Sequence, residues 1–407
     1  MKEKAILYLL TLFLLYPALP STARQPSSQE QSRLTFLIVG GRNGFIERFG
    51  EVAPYRQLFY SPDKKKLAEK MLLSMACQPL SKEKITQLSG LPDDEFEEIS
   101  SLLLSLNMIS LKDSIWATTL PVLTGREMAN LRRKLSSLAD KMAGAVSRSI
   151  PHIEGLYRKN RIPSDPEWEE TAHLFISYFL LDTFLLRSLS SMEGKKGFRQ
   201  YYSEKQKIIP AFFLETGENF TNFGCNSYSF KGDEKNRSIF VFVLHGTLFE
   251  RIQISLNKYE KNPDFSSALF KLIPQEVKPS LSDQEKKILE NLGWLENDEL
   301  KVPMIDSRIR ASLTPPLAKA AESMAEVVFE NFDIILDAFN ESPYSKFLDG
   351  AGDYIQYIYH VLMYLTIEKL IRQGILPAIP EPLPEYFGTY ILYSSGAEKA
   401  AGKKRFN

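Results

Sequence analysis

Histidine, cysteine and net charge are scarce in this chain. Its 407 residues hold 4 His and 2 Cys, and its basic and acidic side chains balance at 50 each. Sparse His and Cys exclude dense metal-ligand clusters: His152, His173, His245 and His360 form no His-Glu-x-x-His arrangement and none adjoins a cysteine pair. The charge balance excludes a global pull toward nucleic acid or anionic lipid. A disulfide framework is excluded as well, leaving Cys77 and Cys225 as the one available pair, which bridges only if the Cα atoms lie within about 7 Å. Also missing are the Gly-Lys-Ser/Thr of a P-loop, the glycine spacing of a dinucleotide fingerprint and a Gly-x-Ser-x-Gly nucleophile elbow. No catalytic constellation is readable, and no cofactor or metal is expected.

What is present begins with a basic start at Met1 to Lys4, an apolar run from Ala5 to Tyr16 and a small, polar exit from Pro17 to Ala23. That succession reads as a secretory signal peptide over residues 1–23, cut after Ala23. The run is shorter than the roughly 20 residues of a membrane span, so no stable span is expected. The expected location is periplasmic or extracellular. Cleavage leaves 48 basic and 49 acidic side chains. Residues 24–33 read as a polar linker and 396–407 as a small, basic tail.

Two long segments, 34–235 and 236–395, show the same succession of patterns. Each opens on an apolar β run, turn residues and a return strand: Leu34 to Val39, Gly40 to Gly44 and Phe45 to Arg48 in one, Ile239 to Leu244, His245 to Thr247 and Leu248 to Arg251 in the other. Helices start at Asp63 behind Ser61-Pro62 and at Asp264 behind Pro263. Strand-turn-strand stretches follow at Met108 to Trp116 and Trp294 to Val302. Long helices at Arg126 to Ser149 and Glu167 to Leu189 answer Pro315 to Phe339 and Asp353 to Arg372. Closing β segments are Ile208 to Leu214 with Asn226 to Phe230, then Thr389 to Tyr393. The fold class expected is α+β, helix-rich, in two similar units packed about a pseudo-twofold.

From Lys64 to Leu120 the order is finer: a helix, a short second helix closed by Gly90, and a third from Glu95 to Leu106 behind Pro92-Asp93-Asp94. Phe96, Ile99, Leu102, Leu103 and Leu106 line one face of that third helix, and a two-strand wing follows. Residues 64–120 thereby resemble the winged helix-turn-helix domain of ArsR-type and related transcription regulators, with a weaker copy at 264–305. The resemblance implies a third helix that enters the major groove in DNA-binding members. Here the same stretch carries Asp93, Asp94, Glu95, Glu97 and Glu98, with no Lys or Arg before Leu106. Against a duplex with one negative charge per ~1.7 Å these carboxylates are repulsive. The second copy is mixed, with Asp283, Glu285, Lys286, Lys287 and Glu290. Acids at a helix N-terminus also suit its dipole.

Remaining features are weighed against plain structure. Gly40-Gly41-Arg42-Asn43-Gly44 reads as a hairpin turn, because the second unit replaces it with His245-Gly246-Thr247. His173 and His360 lie on apolar helices, where hydrogen-bonded core histidines are expected. His245 beside a glycine, and Asp182 as the one acid of an apolar face, are weak site candidates for a hydrolase between the units. Tyr357 and Tyr364 belong to a tyrosine-bearing helix that suggests a contacted or wet edge. The sequence reading is an exported, non-enzymatic protein acting by protein or ligand contact through Asp93, Asp94, Glu97 and Glu98 or through Tyr357 and Tyr364. The partner and oligomeric state are open, and a DNA-binding regulator is the alternative if the N-terminus is an anchor or mis-start.

Overall fold

The computed structural model describes residues 12–13, 34–39, 58, 61–162, 165–191, 211–215, 223–231, 238–245, 256, 259, 262–273, 280–346, 348, 351–380, 384 and 386–394. Capping residues set many of the helices. Ser61 accepts from the Lys64 amide and Pro62 occupies the first turn of α1 (Pro62–Ser74). Ser81 caps α2 (Lys82–Ser89), and Gly90 closes it at φ +67°, a conformation in which a Cβ is strained. Helix α3 (Asp93–Ser105) has no side-chain cap, and Asp93, Asp94 and Glu95 in its first turn meet the positive end of its dipole instead.

A three-stranded sheet completes this N-terminal unit. Strands β4 (Ile109–Lys112) and β5 (Ile115–Thr118) turn through Asp113 and Ser114, both left-handed, and β3 (Leu80–Ser81) pairs with β5 on its other side. A shorter arrangement of helices and a hairpin lies later in the chain. Helix α7 (Pro263–Leu272) is followed by α8 (Asp283–Asn291), which starts on a reciprocal Ser282 and Glu285 box, and a two-strand hairpin, β10 (Leu295–Glu296) and β11 (Glu299–Leu300), turns through left-handed Asn297 and Asp298.

Two four-stranded sheets share one order. In the first, β1 (Leu12–Phe13) and β2 (Leu34–Val39) are antiparallel, β7 (Ala211–Glu215) is antiparallel to β2, and β6 (Val122–Leu123) is parallel to β7. In the second, β8 (Phe223–Lys231), β9 (Ser238–His245), β13 (Thr389–Ser394) and β12 (Met304–Asp306) run in the same order and directions. Asn226 to Phe230 was expected to close the first unit. It lies in β8 and pairs with β9, because the near neighbour in sequence wins the edge. The return strands expected at Phe45 to Arg48 and Leu248 to Arg251 fall outside the described residues, as do the linker and the basic tail.

The helical body is built on α4 (Gly125–Asn160), which packs against α9 (Ser307–Glu330) and α11 (Gly352–Arg372), with α10 (Phe332–Asn340) beside them. Helix α4 runs on through Pro151, past the expected end at Ser149. Helix α9 begins before the prolines that were expected to start it: Asp306 caps it through the Arg308 amide, and Pro315 and Pro316 lie inside. There the Thr314 hydroxyl donates to the Arg310 carbonyl, and the buried face of Ile309, Leu313 and Leu317 holds the helix together across them. Between α5 (Trp168–His173) and α6 (Leu186–Ser191) lies a π-helical segment, Leu174–Leu185. The stretch Trp168–Leu189 is apolar and long enough to cross a membrane, yet 78% of its most apolar window is buried in the protein itself.

Among the described residues two separate cores result. One joins the helical body, the second sheet and the α7 to β11 unit; the other holds the α1 to β5 unit with Leu34, Leu58 and Val122. Neighbours in β6 divide between them, Val122 in the smaller core and Leu123 in the larger.

Candidate functional site

The acidic residues of α3 are at the surface. Asp93, Glu97 and Glu98 are 84%, 65% and 51% exposed, and Asp94 is exposed as well. Lys82, the first residue of α2, lies 3.3 Å from Asp93 and 2.7 Å from Glu97, and covers the Phe96 ring at 5.3 Å. Lys64 of α1 meets Glu98 at 2.6 Å. Such exposed pairs are each worth about 0–1 kcal/mol, so they leave the helix face negative without stabilising the unit much. The exposed large hydrophobic side chains among the described residues are Leu88, Leu111 and Ile115, all in this unit. Ile115 pairs across the sheet with Ser81, next to Lys82, so apolar surface borders the acidic face.

Tyr357 and Tyr364 do not form a contact edge. They are 1% and 6% exposed, because α11 packs between α4 and the π segment with nearly its whole circumference covered. Burial on this helix demands partners: the Tyr357 hydroxyl meets the Met128 sulfur, and that of neighbouring Tyr359 donates to the Leu181 carbonyl. Burial raises both phenols well above the usual tyrosine range.

Around Tyr364 and Tyr359 the structure assembles a buried acid and base. Asp182, on the π segment, places Oδ1 3.8 Å from Nε2 of His360 on α11. The charge of Asp182 is felt by both tyrosines. The His360 Nδ1 lies 2.7 Å from the Gln356 carbonyl, which accepts its proton and leaves Nε2 as a bare lone pair. Among the described residues Nε2 has no hydrogen-bond partner. Desolvation pushes Asp182 up to about 7 and His360 down, so the fold favours a neutral acid facing a neutral imidazole. The pair holds one proton, on the acid, and at 3.8 Å the two groups face each other without a hydrogen bond. Its seat in a π segment matches where such irregularities often serve function.

The other sequence candidates separate. His245 ends β9 opposite Phe223, and its side chain lies outside the described residues. His173 is a satisfied core histidine, with Nδ1 on Ser177 and Nε2 on the Pro377 carbonyl. Cys77 is an exposed free thiol, so the bridge to Cys225 considered from sequence is not made here. Among the described residues no three His, Cys, Asp or Glu side chains converge as metal ligands. The partnership of Asp182 with His360 was missed from sequence, where each was weighed alone. The clue available was an acid in one apolar helix and a histidine in another of similar pattern. Comparison with family models, with curated proteins and with solved structures finds no match.

Proposed function

We propose that this is an exported, non-enzymatic binding protein of two related units, whose N-terminal unit is a winged-helix-like module given over to protein contact. The observation that carries the reading is the exposed carboxylate face of α3, bordered by Ile115. A helix that reads DNA draws on Lys and Arg that release counterions, and α3 has neither. The same face suits a basic, partly apolar protein surface, where steering depends on salt. In the chain left after cleavage, the shared order and directions of β2, β7 and β6 with β9, β13 and β12, together with the shared left-handed hairpin turns, support descent of both units from one pattern.

Binding of the full chain to a lysine-rich amphipathic peptide tests this against duplex DNA. The wild type is expected to bind the peptide in a salt-sensitive way and to leave DNA unshifted at low salt. Reversing Asp93, Asp94, Glu97 and Glu98 to lysine is expected to weaken the peptide by about tenfold or more, with helicity unchanged by circular dichroism. Salt-sensitive DNA binding by the wild type overturns the reading in favour of gene control. Recovery from the cytosol of a chain with its N-terminus intact overturns export.

A further inference from the structure

Glu127 is the third residue of α4, and Thr124 caps the helix by accepting from the Glu127 amide. An acid at this position commonly turns back to the cap. Here it turns away instead, into the body. Oε1 accepts from the Tyr354 hydroxyl of α11 at 2.5 Å, and the Tyr344 hydroxyl is also within hydrogen-bonding reach of the carboxyl. Tyr344, fully buried in the 3-10 turn Pro343–Lys346, accepts from the Val122 amide at 3.1 Å and donates to the Val122 carbonyl. Val122 is the last residue of the smaller core, and Leu123 the first of the larger. One cluster of side chains therefore fastens the strand where the N-terminal unit joins the helical body.

We propose that Glu127 is a proton-operated latch: protonated, its carboxyl stays buried against Tyr354 and Tyr344 and holds the start of α4 in place; ionised, it withdraws to water and loosens the attachment of the N-terminal unit. The groups facing it are the Tyr354 and Tyr357 hydroxyls from α11, that of Tyr344 from the 3-10 turn and the Cys77 thiol beyond α1, with Arg126 beside it on its own helix. Cys77 and the tyrosines are neutral near pH 7, and partial desolvation of the otherwise exposed Cys77, with the nearby Glu127 charge, raises its thiol further. Among the described residues α11 and the 3-10 turn direct no cation at the carboxyl, so little there offsets the cost of ionising it in place. Burial outweighs the hydrogen bond from Tyr354 and the nearness of the Tyr344 hydroxyl, and pushes Glu127 up to about 7. The latch then works around neutral pH, whatever the N-terminal unit binds.

Hydrogen exchange of the full chain, corrected for the intrinsic pH dependence of exchange, tests it at the amides from Val122 to Met128. The closed latch holds its proton more tightly than the open one, so the opening constant is expected to rise by about fortyfold between pH 5 and pH 7 and to level off about one pH unit higher. Glu127→Gln is expected to abolish this dependence. Tyr354→Phe keeps the carboxyl but removes a donor that favours the charged form, and is expected to move the midpoint to higher pH. Equal opening at pH 5 and pH 8 in the wild type overturns the proposal, as does a pH dependence that survives Glu127→Gln. Should that variant fail to fold, an unmoved midpoint in Tyr354→Phe overturns it.

Discussion

Asp182→Asn is expected to gain on the wild type as pH rises, by about 4 kcal/mol between pH 4 and pH 8, while His360→Gln gains on it as pH falls below about 6.5. The folded chain holds the Asp182 carboxyl at about 7 against an ordinary value of 3.8. Over that window the native state keeps a proton that the unfolded chain has lost, so this group's stabilisation is complete below pH 4 and is lost as pH rises through 7. His360 acts in the opposite sense. Burial lowers it from 6.5, so its contribution is present above that pH and is lost as pH falls. Between the two limits, folding moves one proton from the histidine to the acid without changing the number bound. The pair in the wild type is accordingly almost flat in pH, and only the single variants reveal the two opposed slopes, each about 1.4 kcal/mol per pH unit. Urea midpoints of the three proteins across pH 4 to 8, taken as differences from the wild type so that Glu127 cancels, provide the measurement. Parallel profiles would mean that neither group holds the buried proton.

Local signals carried the reading of the helices and turns. Ser61-Pro62 stands at the start of α1, where a helix start was expected, and Gly90 ends α2. The α+β class follows from patterns that each segment carries by itself. What escaped depends on partners far away in sequence. Asn226 to Phe230 is β-forming in any context, and only the competition between two sheet edges assigns it to β9. Pro315 and Pro316 read locally as a start, but the cap at Asp306 and the buried face of α9 outweigh them. Tyr357 and Tyr364 looked like a wet surface because hydroxyls seek water; both are buried, and for Tyr357 the Met128 sulfur takes the place of water. Glu127 gave no signal at all, since an acid in the first turn of a helix is ordinary until Tyr344 and Tyr354 are placed against it. For the same reason the acids of α3 were legible and the buried pair was not: exposure follows from one helix's pattern, whereas the 3.8 Å between Asp182 and His360 follows from the packing of two.

Phe96→Ala is expected to cost about 3–5 kcal/mol and to split unfolding into two transitions. Phe96 is fully buried on the inner face of α3, edge-on to Trp116 of β5 at 5.3 Å, with Lys82 of α2 over its other side. It thus joins the second helix, the third helix and the wing at one point, and the smaller core has few other large side chains to close over the gap. Because that core is separate from the larger one, the loss stays in the N-terminal unit, whose transition moves to lower denaturant while the helical body unfolds where it did before. Phe179→Ala makes the complementary case. Phe179 is buried in the π segment against Phe175, Tyr178 and Phe242, so its loss is expected to lower the body's transition and leave the unit's own in place. Fluorescence of Trp116 against that of Trp168 and Trp294 distinguishes the two transitions, since these indoles lie in different cores. A single transition shifted equally in both variants would show that the cores unfold as one body, and would deny the latch at Glu127 the independent motion that it requires.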